Sequence, residues 1–179
     1  QDIPVVPTAT ASPVATSATP PLSYSQEVVV TVSPVVTQSP APVYLTGYLT
    51  GQKVGTITLP SLKLSWPIYE GTEEAQLAKG VGHYTRSVLP GLSDNSVLAG
   101  HRSTVFNRLG ELELGDEIYI KTAAGTFVYE VVKFKVVKRT DKTVIVPTED
   151  ATLTLTTCFP FNHIGVTTDA FIVSAKLVP

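Results

Sequence analysis

An abrupt change near residue 50 constrains this chain more than any other feature. Residues 1–50 hold eight of the 14 prolines and only two charged side chains, Asp2 and Glu27. All 13 lysines and arginines lie from Lys53 onward, beside 13 of the 15 acidic residues. A segment crowded with Pro, Ser, Thr, Val and Ala has few large side chains to bury, and its prolines interrupt hydrogen-bonded ladders. It reads as a linker or stalk, and disorder is its expected state. The run Val28-Val29-Val30-Thr31-Val32 has strand character, but neighbouring prolines restrict it to an edge. As coil, such a length spans about 40 Å, and as a polyproline-like chain up to about 150 Å. That suits a spacer between a working domain and an anchor upstream of Gln1, and residues 1–50 are expected to be dispensable for stability. The core must come from residues 51–179.

Composition removes several functions. A formal charge of −2 argues against a binder of phosphates, which needs a basic face, so nucleic acid is not an expected partner. No run of about 18 apolar residues exists to span a membrane, and no signal peptide opens the chain. One cysteine excludes a disulfide framework within the chain and a multi-cysteine zinc site. Hydrophobic residues make up 43%, enough for a core. Short β-rich runs between turn signals predict strands at Gly55–Leu59, Leu62–Tyr69, Ser96–His101, Glu117–Lys121, Thr126–Lys138 (bent or split), Thr152–Cys158 and Ala170–Val178. Only Glu73–Lys79 and a turn at Ser103–Leu109 look helical. The pattern is that of an all-β barrel or sandwich.

Cys158 ends the alternating run Thr152–Thr157 and precedes Phe159-Pro160, where proline stops the ladder. A thiol at a barrel mouth is open to substrate, although a lone cysteine is most often a small buried hydrophobe. Only the thiolate attacks, and a neighbouring imidazolium is the usual aid. There are three histidines: His101 at a predicted strand end, His83 in a Gly-rich loop, and His163 in the loop after Cys158. Spacing does not choose among them. Gly100 would let another chain approach closely. Acyl transfer also calls for a cation or dipole at the oxyanion. Arg102 adjoins His101, and beyond Cys158 Lys176 is the sole permanent cation.

Ser96-Val97-Leu98-Ala99-Gly100-His101-Arg102 resembles the GHR segment of sortases, and Thr154-Leu155-Thr156-Thr157-Cys158 resembles their TLxTC segment. The two stand in the family's order and at a family-like distance. Gly82-His83-Tyr84, Leu89-Pro90-Gly91 and Cys158-Phe159-Pro160-Phe161 extend the likeness over about residues 54–179, and it is greatest to class D or a neighbouring class. The resemblance implies a closed eight-stranded sortase-type β-barrel with short helices. It implies a cysteine transpeptidase that cleaves an LPxTG-like sorting signal after Thr. Cys158 would be the nucleophile and His101 its acid/base partner. Gly100, Arg102 and Thr157 would line the substrate groove. The expected partners are the sorting-signal peptide and a peptidoglycan-precursor amine. The expected place is the outer face of a Gram-positive membrane, with membrane contact only through an upstream anchor. No cofactor is expected.

The chain departs from the family at two positions. Ser103 follows GHR where Asp is usual. Ala170 stands on the last strand where the family carries an arginine. Ala170 reads as an arginine-to-alanine replacement that disables the enzyme. The alternative is a natural sortase-like protein without that arginine, a peptide-binding or scaffold module. An L,D-transpeptidase is a poorer fit, because Thr156-Thr157 precedes the cysteine where that class has Ser-x-Gly. Lys133, Lys135 and Lys138 read as a solvated strand face, Trp66 as core mass, and Glu111, Glu113, Asp116 and Glu117 as surface acids to which no metal is assigned.

Overall fold

The computed structural model describes residues 42–44 and 47–179. The Val28–Val32 run and most of the proline-rich segment lie outside the described residues. The compact unit that contains the barrel runs Gln38–Pro179.

The strands are β1 (Lys53–Leu59), β2 (Leu64–Glu70), β3 (Val81–His83), β4 (Asp94–Ala99), β5 (Glu117–Thr122), β6 (Gly125–Lys138), β7 (Ala151–Phe159) and β8 (Asp169–Leu177). They close in the order β1-β2-β3-β4-β7-β8-β6-β5. Closure leaves no free sheet edge. Pairs β2–β3 and β4–β7 are parallel, and the others antiparallel. Period-two alternation fixes which face turns inward. In β7, Leu153 and Leu155 are fully buried in the barrel core. Ile57, Ile118, Tyr129 and Val173 meet them there, and Trp66 packs against the outside of this cluster.

Four comparisons with the sequence expectation bear on the site. First, of the two alternatives for residues 126–138, bent or split, β6 is the bent one, a single strand with a register shift between Val131 and Lys133. Second, His83 lies in a strand, not a loop. A side chain at Gly82 would put a carbon 2.4 Å from the Gly71 carbonyl oxygen, so glycine permits the close approach that β3 needs. Third, helix is sparser than expected: α1 (Glu74–Leu77) is one turn, and after the turn at residues 102–108 comes a 3-10 turn at Leu109–Glu111. Fourth, β4 ends at Ala99, so His101 stands two residues beyond it.

The chain before Gly51 touches the barrel. The Tyr44 hydroxyl donates to the Pro90 carbonyl at 2.7 Å and lies 3.1 Å from Thr122 Oγ1. Tyr48 packs on the core. These contacts are at the end of the barrel that carries the β5–β6 hairpin, away from Cys158.

Candidate active site

Two registers assemble the site. Parallel pairing of β4 with β7 sets Ala99 beside Thr156. The Gly100 amide then donates to the Thr156 carbonyl at 3.1 Å, and Thr157 Oγ1 donates to the Gly100 carbonyl at 2.8 Å. Continuing one strand end along the other brings the His101 turn next to Cys158. Antiparallel pairing of β7 with β8 sets Cys158 directly opposite Ala170. Residues opposed in this way share a face. His101 and Cys158, 57 positions apart in the sequence, and Ala170 are therefore brought to the same end of the barrel.

His101 is held through its backbone. Its carbonyl accepts the amides of Thr104 at 3.3 Å and Phe106 at 3.0 Å, which close the turn. Its ring is partly exposed, with Nε2 3.3 Å from Glu74 Oε1 of α1. Cys158 is an intermediate case, neither buried nor open. Ala170 is buried in a small apolar cluster with Val137 and Ile172, against which Val144 packs. Aliphatic side chains thus surround the position at which the family carries its arginine. Beside it, Lys138 Nζ pairs with Asp169 Oδ1 at 2.6 Å and holds that carboxyl below the usual carboxylate range. Further along the same face a cleft of about 180 Å³ is floored by Thr152, Thr154, Ile172 and Ser174. Residues Thr143, Val144, Val146 and Thr148 wall it, and Lys133 and Lys135 rim it.

The other candidates separate cleanly. His83 is buried: Nδ1 pairs with Glu70 Oε2 at 2.8 Å and Nε2 faces the Val88 carbonyl at 3.0 Å. It is held in a structural hydrogen-bonded pair with Glu70 that ties β3 to β2. His163 is exposed on the β7–β8 loop. Thr157 is 4% exposed and turns to the face of Leu153 and Leu155, so its hydroxyl pins two strands together and does not line the groove. Gly100 pairs with the Thr156 backbone, and where its side chain would be it meets side chains: a carbon added there would fall 2.5 Å from Val105 Cγ2 and 2.6 Å from Phe106 Cδ2. Arg102 donates to the Pro160 carbonyl at 3.3 Å and to the Gly165 carbonyl at 2.7 Å. Its guanidinium is engaged with the β7–β8 loop. Of the surface acids, Glu111 is forked by Arg108, and Asp116 accepts the Glu113 amide and the Ser61 hydroxyl.

Sequence reasoning missed Glu74 and the aromatic mouth. Phe171 stacks with Phe134 at 5.9 Å and Phe159 at 6.2 Å, and meets Phe161 edge-on at 5.3 Å between ring centroids. The only sequence signal was the spacing of aromatics around Cys158.

The sortase domain family matches residues 57–178. Sortase D of Bacillus subtilis strain 168 is 43% identical over 130 residues, covering 72% of this chain and 66% of the relative. Sortase A of Listeria monocytogenes serovar 1/2a is 32% identical over 109 residues, covering 59% of this chain and 49% of the relative. The chain therefore spans about half to just under two thirds of these relatives. Among solved structures, the Clostridium perfringens sortase D5 transpeptidase superposes with a TM-score of 0.68 at 29% identity, covering 74% of this chain and 83% of that one. Sortase A from Corynebacterium diphtheriae gives 0.66 at 32% identity, covering 72% and 62%. The family match over most of the barrel, the eight-strand closure and these relatives agree, and the chain belongs to the sortase family.

Proposed function

We propose that the chain is built as a cysteine transpeptidase acting on an LPxTG-like sorting signal, with Cys158 as nucleophile and His101 as its acid/base partner. The observation that supports this is the double register: β4 and β7 pair as far as Ala99 and Thr156, two residues before His101 and Cys158, and β7 and β8 pair Cys158 with Ala170. In the reaction the Cys158 thiolate attacks the Thr carbonyl carbon of the signal. The Thr–Gly C–N bond breaks, and the departing amine takes its proton from the His101 imidazolium. The product is a thioacyl-enzyme. A peptidoglycan-precursor amine then attacks the thioester carbonyl, gives up its proton to His101 and releases the thiolate. The cleft below Ile172 would receive the residues upstream of the cleaved bond. This activity belongs on the outer face of a Gram-positive membrane, at the cell wall.

Ala170 stands where the family's arginine would steady the oxyanion, and we take it as an arginine-to-alanine replacement. Arginine suits that task because it stays charged and presents a fork of donors. Losing one oxyanion donor typically costs about 3–4 kcal/mol, or roughly 10²–10³ in rate. A non-catalytic peptide binder is the second reading, favoured by the closed aliphatic patch of Val137, Ala170, Ile172 and Val144. The test compares transpeptidation of an LPxTG peptide by the chain as it stands and by Ala170→Arg. The account expects Ala170→Arg to gain about a hundredfold or more. No gain, or full activity with Ala170, moves the assignment to the binder or to a different cation.

A further inference from the structure

We propose that Arg102 is a positioning residue, which ties the turn carrying His101 to the loop that follows Cys158. The proposal rests on the reading of Cys158 and His101 as the reacting pair. The loop runs from Pro160 to Thr168 and joins Cys158 to Ala170. Its tip buries nothing that could hold it: Ile164 is 97% exposed and Val166 is 89% exposed. Its first part is anchored by Phe161 on Phe171 and Phe159. Its last part is anchored by Arg139, whose amide donates to the Thr168 carbonyl at 2.8 Å and whose guanidinium reaches the Thr167 carbonyl at 3.4 Å. Between these, within the loop, the His163 amide makes only a long contact of 3.5 Å to the Pro160 carbonyl.

Arg102 supplies the missing tie. Its two terminal nitrogens bridge the Pro160 and Gly165 carbonyls, one at each end of that unsupported stretch. A planar fork spans two acceptors at once, whereas a lysine ammonium is a single point that reaches one. The residue next to His101 therefore fixes the loop next to Cys158. Both bonds are exposed, so their removal costs the fold little. Placement of reacting groups is far less forgiving, since a displacement of about 1 Å can cost about a hundredfold in rate.

The test uses Arg102→Gln and Arg102→Lys, each made in the chain as it stands and in the Ala170→Arg form. Backbone amide order parameters are read first, because they need no turnover. In Arg102→Gln, the order parameters over residues 160–168 should fall below about 0.6 while those of β7 and β8 stay near about 0.85. In the Ala170→Arg form, Arg102→Gln should lower kcat by about 10–100-fold with little change in KM. Arg102→Lys should fall between the two on both readouts. Unchanged loop order parameters in Arg102→Gln overturn the proposal. So does a loss confined to KM, which would put the guanidinium on the substrate. Cys158→Ala in the Ala170→Arg form separates the two failures: retained turnover there sinks the reacting pair, whereas abolished turnover beside a silent Arg102→Gln sinks the positioning role alone.

Discussion

Replacing His83 by alanine would leave the buried Glu70 carboxylate facing a cavity where it now has a partner at 2.8 Å. Stranding a buried polar group without its hydrogen bond costs about 1–3 kcal/mol, and more for a charged one. His83→Ala should therefore melt about 10 °C or more below the parent, whereas the partly exposed His101→Ala should melt within a few degrees of it. Thermal unfolding of the two side by side checks this, and equal melting points contradict it. Tyr129 carries a second prediction. Burial pushes its phenol up to about 12, while its oxygen accepts the Gly91 amide at 2.6 Å. In the unfolded chain the phenol ionises near pH 10. Its folded value is the higher one, so the stabilisation is complete below about pH 10 and is lost as pH rises toward about 12, a loss of about 3 kcal/mol. Denaturant unfolding at pH 9 and pH 11 should show the drop. Tyr129→Phe should lower stability at both, by about 1–3 kcal/mol for the stranded Gly91 amide, and flatten the difference between them. Neither role was legible in sequence: the spacing of three histidines did not say which had a carboxylate partner, because Glu70 reaches His83 through the β2–β3 pairing.

The elements that could be read in advance were those with alternation. β7 shows leucines and threonines at period two, and its observed bounds exceed the expected ones by a residue at each end. β3 has only three residues and no alternation, and it exists because Gly82 lets the backbone of Gly71 pass close by. The end of β4 was misjudged because a turn closes on the His101 carbonyl, a long-range consequence of where Phe106 is buried. That turn makes Gly100 the sensitive position. In Gly100→Ala the added methyl would sit among Val105 and Phe106 atoms at 2.5 and 2.6 Å, so the turn must shift. Overpacking of this kind costs about 1–3 kcal/mol. In the Ala170→Arg form, Gly100→Ala should lower both the melting temperature and kcat/KM, the latter by about tenfold or more as the His101 ring moves. Wild-type kinetics in that variant would show that the turn does not set the histidine.

At the scale of the whole molecule, charge and proline content change near residue 51, but they could not show which side chains before it pack on the barrel, whose compact unit begins at Gln38. Tyr44 and Tyr48 do so, and their rings meet edge-on at 6.3 Å. A chain beginning at Gly51 should melt about 4–8 °C below one beginning at Gln38, because it loses a half-buried hydroxyl contact and two aromatic faces. Equal melting of the two would return these residues to the linker. The family and the barrel were legible because two short motifs sit on strands that must be neighbours, β4 and β7. The loop ties made by Arg102 and Arg139 were not, since a carbonyl acceptor leaves no mark in sequence. The central claim is that one thiol carries the acyl group, and acid-quenched mass spectrometry of the Ala170→Arg form with an LPxTG peptide tests it directly. The account predicts an adduct equal to the acyl fragment ending in Thr, on the proteolytic peptide that contains Cys158 and absent from Cys158→Ala. Cleavage of the peptide with no such adduct, or with the adduct on another residue, would contradict it.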